Sequence, residues 1–193
     1  YLVDRFPVGC VLLGPVESGT ELEKELLARC EERGVKVRRA GQGDRVRVGA
    51  ATIDVLGPRP EWARNASAND RSLVLRVRFG PASVLFAGDV EAPAETQLRD
   101  EDSRATVLKV PHHGADTSST PEFIDAVSPT FAVISTGARG RQVLDEIVAT
   151  RYENAGIHVL RTDHVGGITL TFDNGQLRLE GERTRRAYPI AER

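Results

Sequence analysis

The sequence predicts a mixed α/β (α+β) fold in one compact domain, and three observations carry that reading. Alternating apolar and polar runs joined by tight turns make hairpins in the first half. From Glu91 onward, strand-like and helix-like runs alternate. At 193 residues and 40% hydrophobic, the chain is long enough for one substantial core. Hairpins followed by αβ units imply mixed sheets flanked by helices, with functional side chains where strands end. No internal repeat, low-complexity segment or linker divides the chain, so residues 1–182 are read as a single domain and 183–193 as a charged, loosely held tail.

Val8 to Leu13 is a short apolar run stopped by Gly14-Pro15, a buried strand and its turn. A helix follows from Ser18 or Thr20, because Thr20 and Glu23 have capping-box spacing, Leu22, Leu26, Leu27 and Cys30 share a face, and Gly34 ends the pattern. Val35 to Val37 is strand-like. Arg45 to Val48 and Ala51 to Leu56 make a hairpin about Gly49-Ala50, and Gly57-Pro58-Arg59-Pro60 closes that region. Ser72 to Phe79 alternates in polarity, and Gly80-Pro81 turns it into Ala82 to Ala87, the clearest hairpin in the chain. Beyond Glu91 come a helix at Pro93 to Leu98, a strand at Thr106 to Val110, and a helix at Pro121 to Val127 with proline in its first turn. A strand at Phe131 to Ser135 leads to a helix over Gln142 to Glu153. Strands at Ile157 to Leu160, Ile168 to Phe172 and Gln176 to Leu179 complete the pattern, the last two joined by Asp173-Asn174-Gly175.

Composition excludes several classes. A net charge of -2 gives no global reason to bind nucleic acid, so contact with a polyanion must be local. Arg76 and Arg78 on one strand, or Arg183, Arg185 and Arg186 in the tail, could supply it, although charged runs are usually solvated faces. No apolar run reaches the roughly 18 residues of a transmembrane helix, and Tyr1 to Phe6 does not read as a signal peptide. Cys10 and Cys30 lack CxxC spacing and sit in apolar runs, which makes them buried thiols.

Chemistry concentrates at two strand ends. Asp89 follows Val84-Leu85-Phe86-Ala87-Gly88 and can either bind metal or cap the helix that begins near Glu91. Glu91 itself reads as compensation for the helix dipole. His112 and His113 follow a strand and precede Gly114. Imidazole is a common ligand of zinc, manganese and iron, and adjacent rings diverge, so one ring would bind metal while the other faces substrate. Asp116 to Thr120 can cap a helix at Pro121 or support a metal ligand from behind. Asn69 and Asp70 are read as turn residues, His158 as a packed or edge histidine, and His164 as a turn residue.

The ordered set Asn69-Asp70-Arg71-Ser72-Leu73-Val74-Leu75, Phe86-Ala87-Gly88-Asp89-Val90-Glu91, Leu108-Lys109-Val110-Pro111-His112-His113-Gly114, Val133-Ile134-Ser135 and Arg161-Thr162-Asp163 resembles the metallo-β-lactamase-like domain of the ComEC family of DNA-uptake proteins. The resemblance covers nearly the whole chain. It implies an αββα sandwich and two divalent metal ions, zinc or manganese, with Asp89 bridging them and His112 or His113 as the late histidine ligand. Catalysis would rest on Asp89, His112 and His113, and substrate would meet Asn69, Ser72, Lys109, Thr117 and Ser118. It further implies a nuclease that degrades the non-imported DNA strand. That nuclease would be a soluble domain tethered to the outer face of the bacterial inner membrane and joined to a membrane channel portion of the same protein. The family's H-x-[HD]-x-D-H ligand segment is expected before Tyr1, so the fold as given lacks its N-terminal segment. Gly137-Ala138-Arg139-Gly140 replaces a G-H-P turn, and Ala115 stands where many relatives have serine. Those departures leave two alternatives open: a metal-free DNA-guiding or assembly module, and a metallo-hydrolase of another phosphodiester or ester.

Overall fold

The computed structural model describes residues 2–99, 102–137, 144–173, 176–183 and 187–190. Their centre is a seven-stranded sheet in the order β3 (Arg45–Val48), β4 (Ala51–Gly57), β5 (Val74–Phe79), β6 (Ala82–Phe86), β7 (Val107–Lys109), β8 (Phe131–Ile134) and β9 (His158–Arg161). The first four strands pair antiparallel, as the two expected hairpins require, and β6 to β9 pair in parallel. Parallel neighbours need crossovers, which α4 (Ala92–Leu98), α5 (Pro121–Val127) and α6 (Glu146–Asn154) supply. The change from antiparallel to parallel pairing falls at β6, the strand that delivers Asp89.

Period-two alternation sorts the side chains of this sheet onto two faces. One face carries the cross-strand row Val46, Ile53, Val77, Val84, Val107, Phe131 and His158. It packs on a three-stranded sheet of β10 (Ile168–Asp173), β11 (Gln176–Gly181) and β12 (Ala187–Ile190), whose Ile168, Leu170, Phe172, Leu177 and Leu179 join Val107, Phe131 and Leu160 in one core. The opposite face presents Leu85, Leu108, Ala132 and Ile134 to Ala94 and Leu98 of α4, Phe123 and Ile124 of α5, and Val148 and Tyr152 of α6. Helices, sheet and sheet thus stack as three successive layers, the α, β and β layers of the expected αββα sandwich.

Two shorter strands stand apart from this sandwich. β1 (Cys10–Leu13) and β2 (Lys36–Arg39) pair in parallel across α2 (Glu21–Glu32). Thr20 caps α2 by accepting from Glu23 N–H at 3.2 Å, and the Glu23 carboxylate reaches back to Ser18 and Gly19 N–H at 2.6 and 3.1 Å. The Ser18 hydrogen bonds, with that from Arg39, pull the Glu23 carboxyl down to about 2. The expected packing face of α2 is only partly used: Cys30 is fully buried, but Leu22 is 75% exposed. Cys10, at the first position of β1, is exposed, which corrects the reading of both cysteines as buried.

Four elements carry no clear sequence pattern: α1 (Leu2–Arg5), α3 (Pro60–Ala63), α7 (Thr162–Val165) and β12. The last corrects the loose tail, because Ala187 to Ile190 pair with Leu177 to Glu180 of β11. Helix α6 begins at Glu146 behind an Asp145 cap whose carboxylate accepts from Ile147 N–H. The earlier start expected at Gln142, the Ala138–Gln142 replacement of the G-H-P turn, the Asn174-Gly175 turn, Arg185 and Arg186 lie outside the described residues. Among the described residues, no helix is long and apolar enough to cross a membrane.

Candidate metal centre

Adjacent ends of β6, β7 and β8 build the candidate site. Gly88, two residues past the end of β6, has φ +62°, a left-handed conformation that glycine adopts without strain, and a Cβ there would lie 2.5 Å from that of Ser72. Asp89 follows, its N–H donating to Ser72 Oγ at 3.1 Å and its side chain 45% exposed. It does not cap α4. The residue at the cap is Glu91, which makes no side-chain capping bond either. With capping excluded, the Asp89 carboxylate is free to face a ligand.

The histidine pair occupies a turn in which both residues are left-handed, His112 at φ 45° and His113 at φ 55°. Such backbone costs about 1–2 kcal/mol per non-glycine residue and concentrates at functional sites. Gly88 O accepts from His112 N–H at 3.1 Å, which locks this turn onto the β6 end. The rings diverge, as adjacency requires. His113 Nδ1 is 2.6 Å from Ser135 O, just past β8, and its Nε2 is 3.6 Å from Asp89 Oδ1. A carbonyl can only accept, so Nδ1 donates its proton to Ser135 O, and Nε2 is the ring nitrogen that faces Asp89. His112 instead has Nδ1 3.3 Å from Glu91 Oε1 and 3.4 Å from Thr117 Oγ1. Thr117 donates to the same Glu91 oxygen at 2.8 Å. Glu91 therefore does more than offset a helix dipole: it holds the second histidine.

The remaining expected site residues divide between support and exposure. Asp70 is buried; one oxygen accepts from Glu91 N–H at 2.9 Å and the other from Ser67 Oγ at 3.0 Å, so it ties its own turn to the loop behind Asp89. Asn69 is half-buried in that turn, where its carbonyl accepts from Ser72 N–H. Ser118 is fully buried and donates to Ala115 O at 2.9 Å, a brace inside the loop. Lys109 donates to Val110 O at 2.6 Å; burial lowers its ammonium, which the nearby Asp89 charge partly restores. Thr120, not Asp116, caps α5. At the end of β9, Thr162 Oγ1 donates to Thr136 O, while Asp163 is held by Arg161 at 2.9 Å and lies below the usual carboxylate range for that reason. His164 is mostly exposed beside Asp163, and His158 lies on the edge strand with its ring 5.3 Å from Phe131.

One supporting residue escaped the sequence reading. Glu95 of α4 is fully buried and accepts from the N–H groups of Ser119 and Thr120, the latter at 2.9 Å. Tyr152 donates to Ser119 Oγ at 2.9 Å, and Arg151 donates to the carbonyls of Ser118 and Ser119. Burial raises the Glu95 carboxyl despite those donors. This lattice fixes the loop that carries Thr117. The available signal was a glutamate set between Ala94 and Leu98 on an apolar helix face.

Asp89 and His113 fit two positions in the shell of a divalent ion, one hard oxygen and one imidazole nitrogen. Among the described residues, no group of three or more His, Cys, Asp or Glu side chains could hold a metal. No family model matches the chain. Over 140 residues, 70% of the chain, it is 35% identical to the competence protein ComA of Neisseria gonorrhoeae, and over 155 residues, 79% of the chain, 33% identical to ComE operon protein 3 of Bacillus subtilis. The chain spans about a fifth of the length of these curated relatives, since the matches cover 20% of each. In fold it is similar to a candidate metal-dependent hydrolase from Parabacteroides distasonis, with 15% identity, a TM-score of 0.50, and coverage of 83% of this chain and 79% of that one. These two homologies show that the chain belongs to the ComEC family of competence proteins.

Proposed function

We propose that this domain is a metal-dependent phosphodiester hydrolase of a DNA-uptake protein, a DNase acting on the strand that is not imported. The observation that carries the reading is the His113–Asp89 pair: a ring oriented by the Ser135 carbonyl at Nδ1 places its Nε2 3.6 Å from a carboxylate oxygen that no helix cap consumes. Zinc or manganese ions held by Asp89 and His113, with ligands from elsewhere in the protein, would polarise a phosphoryl oxygen and make water more acidic. His112, held at Nδ1 by Glu91 and Thr117, presents Nε2 to hold or deliver a proton at the leaving oxygen. The strained turn keeps the two rings in these separate orientations. DNA and a membrane channel portion of the same protein are the partners this reading calls for, at the bacterial inner membrane.

The test is Asp89→Ala, made both in the 193-residue chain and in a longer chain extending before Tyr1. Cleavage of labelled DNA with manganese or zinc and the metal content of the purified protein are read together. Loss of both supports the proposal, and cleavage unchanged by Asp89→Ala overturns it. A metal-free DNA-guiding module is the second reading, favoured by the absence of a three-ligand group among the described residues. Stoichiometric metal in the longer chain, purified without chelator, removes that reading. Relative cleavage of DNA and small phosphodiesters sets the substrate class.

A further inference from the structure

The helix-facing side of the central sheet changes character along its width. One cross-strand row reads Arg45, Asp54, Arg76, Leu85, Leu108, Ala132 and Val159; the leucines and their neighbours lie beneath the helices, and the charged residues fall on β3, β4 and β5. The next row reads Arg47, Thr52, Arg78 and Ser83. Four arginines therefore share a face with one carboxylate, Asp54, which is 6% exposed. Asp54 is clamped by Arg45 Nε at 2.6 Å and Arg78 Nε at 2.8 Å, with Arg76 Nη2 at 3.7 Å. Burial disfavours its charge, but the Arg45 and Arg78 contacts outweigh that and hold the carboxyl below its usual range. Arg76 also reaches Asp102, a mostly exposed partner. Arg47 is exposed and ion-paired to no carboxylate among the described residues. A chain of net charge -2 thus concentrates positive charge on one rigid plane.

We propose that this arginine face of β3, β4 and β5 binds the phosphate backbone of single-stranded DNA, outside the hydrolytic site. The choice of ligand rests on the DNase reading above; the choice of surface does not. Arg76 is buried beneath Asp102 and stays beneath the surface, while Arg45, Arg47 and Arg78 are open to solvent. With arginines two apart on a strand separated by roughly 6.7 Å and adjacent strands by about 4.8 Å, these three can meet successive phosphates. Guanidinium forks match phosphate oxygens, and a buried carboxylate that fixes two of the forks lowers the ordering cost of binding. Thr52 and Ser83 add hydroxyls to the same rows. No aliphatic or aromatic side chain stands among these charged positions to enter a bilayer, which favours a nucleic acid over a lipid surface. β6 runs from Ser83, beside Arg78, through Leu85, beside Arg76, toward Asp89. The arginine rows therefore lie roughly 13–20 Å upstream of the candidate metal ligand along the strand direction.

The test measures binding of a fluorescein-labelled oligothymidylate by anisotropy against salt, in chelator so that metal-dependent cleavage does not enter. Arg47→Glu is the main variant because Arg47 takes no part in the Asp54 clamp, and an unchanged unfolding transition confirms its fold. The expected result is a loss of affinity of about tenfold and a fall of about 0.7 in the slope of log K against log salt. Arg29→Glu on α2 makes the same charge change elsewhere and is expected to leave binding intact. Equal weakening by both variants overturns the face in favour of net charge alone. Oligonucleotide binding unchanged by Arg47→Glu also overturns it, whether or not binding to phosphatidylglycerol vesicles falls. Asp89→Ala is read by cleavage and metal content, and Arg47→Glu by oligonucleotide affinity in chelator, so failure of the hydrolase reading and failure of this face are separate results.

Discussion

Replacing Gly88 with alanine isolates the physical reason that Asp89 emerges where it does. The backbone there has φ +62°, which costs an alanine about 1–2 kcal/mol. The new Cβ would stand 2.5 Å from Ser72 Cβ and 2.9 Å from its Oγ, so the β5 entry must shift, an overpacking cost of about 1–3 kcal/mol. The lower entropy of the unfolded alanine chain returns about 0.4–1 kcal/mol. The net loss expected is about 2–4 kcal/mol, read by urea unfolding with the lone tryptophan, Trp62, which packs against the main core, as the probe. Ser72→Gly alone should cost about 1 kcal/mol, because Asp89 N–H loses its acceptor. Combined with Gly88→Ala, Ser72→Gly removes both clashing atoms, and the two changes should couple favourably by about 1–3 kcal/mol. A Gly88→Ala loss below about 1 kcal/mol, or strict additivity with Ser72→Gly, would refute the claim that close packing against Ser72 sets the Asp89 backbone.

Glu95→Ala strips acceptors from the N–H groups of Ser119 and Thr120 and should cost about 2–4 kcal/mol, whereas Glu95→Gln keeps one acceptor and should cost clearly less; equal costs in urea unfolding would count against the buried brace. For Asp54, the folded carboxyl lies below its ordinary value of 3.8, so the clamp contributes in full above that pH and is lost as pH falls through the depressed folded value. Asp54→Asn should flatten the acid limb of the stability profile below about pH 5, and parallel wild-type and variant profiles there would exclude the clamp as its source.

Much of the fold was legible because its signals are local. Alternation and turn glycines fixed β3 to β6, and proline placement with a preceding threonine fixed the start of α5. What was not legible depends on neighbours distant in sequence. The face of β5 that carries Arg76 and Arg78 reads as solvent-facing from alternation alone, yet Arg76 is 8% exposed because Asp54 lies opposite it on β4 and the Asp102 and Arg104 carbonyls cover it. Leu22 shows the converse, since a leucine stripe at helical spacing says nothing about whether a partner exists to cover its first turn. β12 hid within a charged tail because its pairing with β11 fixes it more than any apolar pattern of its own.

The histidine pair makes the same point about chemistry. His112 and His113 are adjacent and identical in type, so nothing local can assign one to metal and the other to substrate. Their left-handed backbone sends the rings to partners from separate parts of the chain: Ser135, 22 residues beyond His113, and Glu91 before α4. Each partner acts on Nδ1 and so decides what Nε2 can do. A carbonyl at Nδ1 orients His113 so that its Nε2 faces Asp89, as the proposed ligand role requires. A carboxylate shared with Thr117 holds Nδ1 of His112, the ring proposed to deliver a proton. The proposed division of labour between the two rings therefore rests on Ser135 and Glu91, neighbours that no local pattern around the pair could name.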